Sequence, residues 1–383
     1  MVQGTPSFTS ESLAALKQRY ADAKQAHVFK YFDELDDQTA AALFEQLSSI
    51  DVAQCNEFFL RTTQAAAQEK SSGKIEPLEA GSFASTLAGS QDDESARWRA
   101  EGMRLIRENK VAVILLAGGQ GTRLGSSAPK GCYDIGLPSH KSLFGIQAER
   151  IRRLQQLASD AGSPAKIPWL CGALVVPKKA WDEPVGVICL RNGRYDVVEY
   201  SEISEDMARM TRPESSELAY NAGNICNHYY TLDFLQHRLP AIEASLEHHI
   251  ARKKIKHVDL ETGEQVAPTK PNGIKLERFV FDVFPYVDKM AVLEVDRKDQ
   301  FSPLKNAPGT GVDCPETSRR DLIAQCIRFV EAAGATVQTV EGSEPAFEIS
   351  GLVSYAGEGL ESLSGKTLAA DQLITDIDSV VTV

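Results

Sequence analysis

The sequence lacks a hydrophobic run long enough to cross a bilayer. Its longest strongly apolar stretch is Val111–Ala117, whereas a membrane-spanning helix needs about 20 apolar residues. Its seven cysteines are scattered and contain no Cys-x-x-Cys pair. Its 53 Asp and Glu outnumber its 41 Lys and Arg, which gives a formal net charge of −12. These absences argue against a membrane-spanning protein, a disulfide or zinc scaffold, and a general binder of nucleic acid or membrane surfaces.

The composition that remains is that of a globular protein, with 43% hydrophobic and 25% charged residues. A chain of 383 residues predicts two or three domains. Scattered thiols and an N-terminus without an apolar leader predict a cytoplasmic protein with no nucleic-acid and no membrane partner. We predict a helical region over 1–108, a core domain over 109–330 and a small β-rich domain over 331–383.

Hydrophobic periodicity predicts the order of the elements. Helices are expected over 10–50, with a new start at Asp36, and over 94–108, with a mobile linker over 64–93 between them. The core then opens with a buried strand, a glycine turn and a helix, the beginning of a doubly wound α/β domain. Strands are predicted over 111–117 and 168–177, and strands or buried segments over 279–284 and 290–295. Helices are predicted over 142–158, 234–254 and 318–333, and a hairpin turning at Asn192-Gly193.

The strongest chemical signal is the glycine-rich loop Gly118–Gly125, which is followed by Pro129-Lys130-Gly131. Glycines after a strand allow backbone N–H groups to approach an anion. The spacing matches neither the dinucleotide fingerprint GxGxxG nor the P-loop GxxxxGK[ST]. A glycine turn alone is as readily structural as functional. Two cations beside it, Arg123 and Lys130, favour a triphosphate ligand.

With these residues the sequence resembles the nucleotide-diphospho-sugar pyrophosphorylases, whose LxxGxGTRLG…PK loop it reproduces. It is most similar to the eukaryotic UDP-N-acetylglucosamine pyrophosphorylases. The resemblance runs along most of the chain, through Glu183-Pro-Val-Gly-Val, Val198-Glu-Tyr-Ser-Glu, Asn221-Ala-Gly-Asn-Ile, Lys270-Pro-Asn-Gly-Ile-Lys, Phe279-Val-Phe-Asp, Phe301-Ser-Pro-Leu-Lys-Asn and Ser354-Tyr-Ala-Gly-Glu-Gly.

The resemblance implies a Rossmann-like α/β nucleotidyltransferase core and a transfer from UTP to N-acetylglucosamine 1-phosphate, giving UDP-N-acetylglucosamine and pyrophosphate. The sugar phosphate would attack the α-phosphorus in line with the leaving pyrophosphate. In this sequence Arg123 would hold the β- and γ-phosphates, Lys130 would lie near the α-phosphate, and Lys305 would neutralise the sugar phosphate. The backbone of the loop glycines would meet the nucleotide, namely at Gly118, Gly119 and Gly121.

The resemblance also implies a sugar pocket. Gly186 would let the backbone approach the hexose, Glu199 would accept hydrogen bonds from hydroxyls, and Asn224 would bond a hydroxyl or the N-acetyl group. Phe279 and Phe281, spaced at the period of a strand, would wall the acetyl pocket. Without the resemblance these residues would be read as surface charges, a turn residue and core rings.

The sequence departs from the family where Pro168-Trp169-Leu170 runs directly into Cys171. A Gly-Asn-Gly-Gly-Leu-Tyr loop that helps to hold uracil is absent there. So is a Val-Asp-Asn strand end, whose Asp would ligate Mg²⁺. The expected cofactor, Mg²⁺, therefore has an unknown ligand, with Asp134 and Asp282 as weak substitutes. A missing block predicts an incomplete sheet with exposed apolar edges.

Three interpretations remain open. The chain is a pyrophosphorylase weakened or inactivated by the missing block, an active enzyme with a shorter sheet, or a non-catalytic variant that binds a nucleotide sugar or a full-length partner. The sugar is open as well, because N-acetylgalactosamine 1-phosphate differs at a single hydroxyl and glucose-type pyrophosphorylases share the loop. A dehydrogenase is disfavoured by the spacing of the glycines.

Overall fold

The computed structural model describes residues 8–68, 74–79, 81–87, 92–115, 121–126, 128–159, 165–167, 172–213, 215–287, 289–338 and 342–383. The chain divides into two compact units, each built from separate stretches of sequence. The first unit is Met1–Ile75 with Ala241–Tyr286, and the second is Glu76–Pro240 with Val287–Val383.

Several helices begin at side-chain caps, one of them at Asp36, where the sequence predicts a helix start. The Asp36 carboxylate accepts the Thr39 N–H at 2.9 Å, and the Ser142 hydroxyl accepts the Gly145 N–H at 3.2 Å. The helices are α1 (Ser10–Asp22), α2 (Asp37–Ser49), α3 (Val52–Gln68), α4 (Asp92–Arg107), α5 (Leu143–Ala158), α6 (Glu205–Ala208), α7 (Leu239–Ile242), α8 (Arg297–Gln300) and α9 (Pro315–Ala332).

The strands are mostly short. They are β1 (Ile75–Glu76), β2 (Ala84–Ser85), β3 (Gly172–Pro177), β4 (Val187–Arg191), β5 (Arg194–Val198), β6 (Ala222–Tyr229), β7 (His249–Lys253), β8 (His257–Val258), β9 (Gln265–Val266), β10 (Gly273–Glu277), β11 (Leu293–Glu294), β12 (Thr336–Val337), β13 (Phe347–Ile349), β14 (Thr367–Leu368) and β15 (Gln372–Ile374).

The main sheet has the order β1-β4-β6-β3-β11-β2, with β5 paired to β4, seven strands among the described residues. β11 runs parallel to both β3 and β2, whereas β3–β6, β4–β6 and β4–β5 are antiparallel. The sheet is therefore mixed, and the α/β class is confirmed. Asn192 (φ 52°) and Gly193 (φ 75°) form the turn between β4 and β5 with both residues left-handed, as the Asn-Gly pair predicts.

In the first unit, the core of the N-terminal helices is aromatic, with Tyr20, Phe29 and Phe32 buried. The helix predicted over 234–254 forms only in its first half, where Phe234–Arg238 is a π-helix and Leu239–Ile242 is α7; its second half is wrong. After the short α7, the chain extends into β7, which pairs with β10 along its full length from His249↔Glu277 to Lys253↔Gly273. Strand partners distant in sequence override the local helical pattern, which single-sequence periodicity does not detect.

Two predictions around the start of the main sheet are wrong. The linker expected over 64–93 contains the end of α3 and both β1 and β2, which are strands of the sheet. The strand expected over 111–117 is not formed in its described part, residues 111–115, which carries a lone bridge position at Val113. Ile114 is 48% exposed and Leu115 is 41% exposed, so apolar side chains that we expected in a core face solvent.

The C-terminal segment packs on α9. Its buried core includes Val330 of the helix with Phe347, Leu360 and Leu368, all fully buried. The short strands of this region pair in parallel, β12 with β14 and β13 with β15. The predicted helix over 318–333 and the β-rich C-terminus are confirmed.

Candidate functional site

The three cations predicted to bind phosphates lie together in the second unit. Burial lowers the pKa of the Lys130 ammonium, and the positive charges of Arg123 and Lys305 lower it further. The Lys130 Nζ also lies 3.4 Å from the carbonyl oxygen of Leu304, the residue before Lys305. Within the described part of the chain, no carboxylate forms an ion pair with any of the three. Like charges that lie close together without a counterion favour the binding of an anion.

Glycines allow the segments carrying these cations to fold tightly. The Gly121 N–H donates to the carbonyl oxygen of Ala128 at 3.0 Å, and a Cβ at Gly121 would lie 3.0 Å from that same oxygen. A Cβ at Gly131 would lie 1.8 Å from the ring of Phe144 on α5. The turn that carries Lys130 therefore reaches its position only because glycine follows the lysine.

The predicted sugar residues Gly186, Glu199 and Asn224 are also brought together in the second unit. The β4–β5 register pairs Val187 with Val198, so Gly186 and Glu199 come opposite each other at the next position. A Cβ on Gly186 would lie 2.8 Å from the Glu199 Oε1. The Asn224 N–H donates to the Gly186 carbonyl oxygen at 2.8 Å. The hairpin and its neighbour β6 thus hold a carboxylate and an amide around one glycine.

The phosphate side and the sugar side are connected. The Lys305 Nζ donates to the carbonyl oxygen of Pro184, two residues before Gly186, at 3.1 Å. The thiol of Cys226, two residues beyond Asn224, lies within range of both the Glu199 and Lys305 charges. Burial raises the pKa of this thiol and Glu199 raises it further, whereas Lys305 lowers it.

The two predicted aromatic residues belong to the first unit. Phe279 and Phe281 lie after β10, where the chain turns, so residues 279–284 do not form a strand. Phe281 and Phe284 are buried, which confirms the alternative prediction of a buried segment. The rings of Phe279 and Phe281 stack all the same, with centroids 4.9 Å apart, and the Phe279 ring also contacts the His249 ring at 4.8 Å. Their relation to a sugar stays a prediction.

Two further predictions concern the nucleotide and the metal. Gly118 and Gly119 lie outside the described residues. No group of three His, Cys, Asp or Glu side chains that could hold a metal ion occurs within the described ranges. Asp134 accepts the Gly136 N–H at 2.7 Å and contacts the His140 ring, while Asp282 accepts from Phe279 and contacts the His249 ring. Both carboxylates are thus engaged locally, so neither stands out as a Mg²⁺ ligand, and the metal stays an expectation from the resemblance.

Sequence reasoning missed His228. Its Nε2 lies 2.9 Å from the Asn224 Oδ1, and burial lowers the pKa of the imidazole to about 4. The spacing of the two residues does not suggest contact in a regular strand, where four residues span about 13 Å. A bulge around Cys226, with φ 58°, shortens the distance.

A mixed α/β sheet with a cluster of three cations beside a carboxylate and an amide agrees with the α/β nucleotidyltransferase class that the sequence resembles. The sequence profile of the family described as UTP–glucose-1-phosphate uridylyltransferase matches residues 55–171 and 165–310. The chain belongs to this family.

Relatives and solved structures agree with this assignment. A UDP-N-acetylhexosamine pyrophosphorylase-like protein 1 from Xenopus tropicalis is 34% identical, covering 93% of this chain and 95% of that protein. The UDP-N-acetylglucosamine pyrophosphorylase of Saccharomyces cerevisiae is 32% identical, covering 94% and 99%. The structure of the uridine diphosphate N-acetylglucosamine pyrophosphorylase of Trypanosoma brucei has a TM-score of 0.68 at 22% identity, covering 94% and 95%. At that identity the last match supports the fold.

No helix within the described ranges has the length and hydropathy needed to span a bilayer.

Proposed function

We propose that the chain transfers a uridylyl group from UTP to N-acetylglucosamine 1-phosphate, producing UDP-N-acetylglucosamine and pyrophosphate. The observation that carries this proposal is the cluster of Arg123, Lys130 and Lys305 beside the Gly186–Glu199–Asn224 group. An anion site next to a hydroxyl-binding group fits a sugar phosphate and a triphosphate better than either ligand alone.

The residues of the chain act mainly by positioning and by charge. Arg123, exposed on the glycine loop, would stabilise the charge that develops on the leaving pyrophosphate. Lys130 would lie close to the α-phosphate. Lys305 donates a hydrogen bond to the Pro184 carbonyl oxygen and would hold the attacking sugar phosphate. Holding two reacting groups in line supplies much of the rate of such a transfer without covalent participation of the protein.

We propose Glu199 and Asn224 as the sugar contacts. The Glu199 carboxylate accepts hydrogen bonds, which suits ring hydroxyls, and Asn224 lies almost fully buried beside it. Mg²⁺ remains an expectation from the resemblance. Since the described carboxylates do not form a cluster for it, no step above is assigned to a metal.

A second candidate function is binding of the nucleotide sugar without turnover. The observation that favours it is the exposed apolar segment with Ile114 and Leu115, where a core strand was expected. The alignment with the Xenopus protein extends over 487 positions, more than the 383 residues of this chain, so that protein has residues without a counterpart here. The two stretches matched by the family profile meet at residues 165–171, which supports a missing block at the place we proposed from the sequence.

We also propose a cytoplasmic location. The six described cysteines are all free thiols, Cys189 and Cys314 being buried. Thiols that stay unpaired are usual in a reducing compartment.

The decisive experiment is pyrophosphate release from UTP, Mg²⁺ and N-acetylglucosamine 1-phosphate by the purified chain, with its circular dichroism recorded in parallel. Turnover should be lost in Arg123→Ala and retained in Arg99→Ala, a control that removes an exposed arginine from α4. Equal turnover in Arg123→Ala would refute the phosphate role. A folded chain that binds UDP-N-acetylglucosamine without turnover would establish the second candidate instead.

A further inference from the structure

The strand β6 contains a bulge next to the candidate site. Val175 of β3 pairs with Asn224, and the adjacent Leu174 pairs with Asn227, so two residues of β6 are left without a partner. One of them, Cys226, has φ 58°, in the left-handed region that non-glycine residues rarely adopt. Bulges bend a strand and re-aim its side chains, and they are frequent beside active sites.

The bulge brings His228 to the side-chain amide of Asn224. The Cys226 N–H donates to the Asn224 Oδ1 at 3.0 Å, and the His228 Nε2 lies 2.9 Å from the same atom. A backbone N–H can only donate, so this arm of the amide is the carbonyl oxygen and not the NH₂ group. The imidazole nitrogen facing a carbonyl oxygen at this distance must then carry a proton.

Two donors contact the Asn224 oxygen, and no hydrogen bond among the described residues engages its NH₂ group, which is left for a ligand. Asn224 is 6% exposed and His228 is 2% exposed, so neither side chain is free to rearrange toward water. The imidazole is neutral near pH 7, because burial lowers its pKa to about 4. It therefore orients the amide without adding charge to the neighbouring cation cluster.

We propose that His228 is a positioning residue that fixes the orientation of the Asn224 amide, so that Asn224 recognises the sugar as a hydrogen-bond donor. The group recognised is then a hydrogen-bond acceptor, and the carbonyl oxygen of an N-acetyl substituent, which can only accept, fits best. The identity of the sugar rests on the proposed function; the orientation of the amide does not.

The first test needs no ligand. In ¹⁵N-labelled wild-type protein, long-range ¹H–¹⁵N correlation should show His228 as the neutral tautomer protonated on Nε2, with its signals assigned by their absence from His228→Gln. A tautomer protonated on Nδ1 would overturn the proposal, because Nε2 could not then donate to Asn224. This result stands or falls independently of the enzyme's substrate.

The second test measures discrimination by calorimetric binding of UDP-N-acetylglucosamine and UDP-glucose. His228→Leu removes the donor and should reduce the preference for the N-acetyl sugar about tenfold, the effect of losing one well-placed hydrogen bond. His228→Gln keeps an N–H at similar reach and should retain most of the preference. A residue with a purely structural role would lower the melting temperature of both variants and leave the ratio of the two affinities unchanged.

The outcomes separate the two proposals. If the wild type prefers the N-acetyl sugar and His228→Leu retains that preference, His228 does not position Asn224. If the wild type binds neither nucleotide sugar, the proposed function fails, and with it the sugar recognition, while the tautomer measurement still decides the orientation of the amide. If His228→Leu does not fold, His228→Asn, which is too short to reach, takes its place in the comparison.

Discussion

Replacement of Gly186 by alanine should impair sugar binding while leaving the fold almost unchanged. The new Cβ would lie 2.8 Å from the Glu199 Oε1 and 3.2 Å from the Val197 Cγ1. A carbon and an oxygen without a hydrogen bond need roughly 3.4 Å, so the carboxylate must retreat by about half an ångström. The Glu199 oxygen is the end of a flexible side chain, and the Val197 methyl group needs to give by only a few tenths of an ångström, which keeps the loss of stability to about 1 kcal/mol.

The effect on function should be larger, because a catalytic or binding group misplaced by about 1 Å can cost a factor of about 100. We expect Gly186→Ala to weaken binding of UDP-N-acetylglucosamine by about tenfold, or about 1.4 kcal/mol. The assay is calorimetric titration together with thermal melting. Gly102→Ala is the matched control, since a Cβ there has no neighbour within 4 Å.

A double-mutant cycle shows whether the effect passes through Glu199. In a Glu199→Ala background the new methyl group no longer meets a carboxylate, so Gly186→Ala should have little additional effect. If the two losses add fully, or if Gly186→Ala binds as tightly as the wild type, the reasoning from this contact is refuted.

Three further predictions concern stability. Because burial lowers the pKa of folded His228 to about 4, the unfolded chain takes up a proton that the folded chain does not. The free energy of unfolding should therefore fall by up to about 3 kcal/mol between about pH 6.5 and pH 4. His228→Gln should flatten this part of the pH profile measured by urea unfolding, and an unchanged profile would contradict the assignment. Residue 226 has φ 58°, which strains a β-branched residue and suits glycine. In chemical denaturation Cys226→Val should therefore lower the free energy of unfolding by about 1–2 kcal/mol, whereas Cys226→Gly should leave it unchanged or raise it. The reverse order would exclude strain at the bulge. Gly131→Ala should lower the free energy of unfolding by about 3 kcal/mol, because the new Cβ would overlap the Phe144 ring. In a Phe144→Ala background, Gly131→Ala should cost much less. A melting temperature unaffected by Gly131→Ala would show that the turn is not packed as described.

Much of the local structure was predictable because the responsible residues are neighbours in sequence. The Asp36 and Ser142 caps and the Asn192-Gly193 turn are formed by contacts within a few residues. The failures have the opposite cause. Residues 249–253 became a strand because β10 pairs with them, and residues 111–115 did not become a regular strand although their composition favours one.

The family could be recognised from the amino-acid sequence, since its motifs occur in order along most of the chain, and the same motifs predict the candidate residues Arg123, Lys130, Glu199, Asn224 and Lys305. How these groups act on one another depends on the folded arrangement. Lys305 reaches the Pro184 carbonyl across 121 positions of sequence, and His228 reaches Asn224 through a bulge that no spacing rule predicts. Charge, hydrogen bonding and burial depend on distances of a few ångströms in space, and those distances are set by strand register and chain crossing, not by order in the chain.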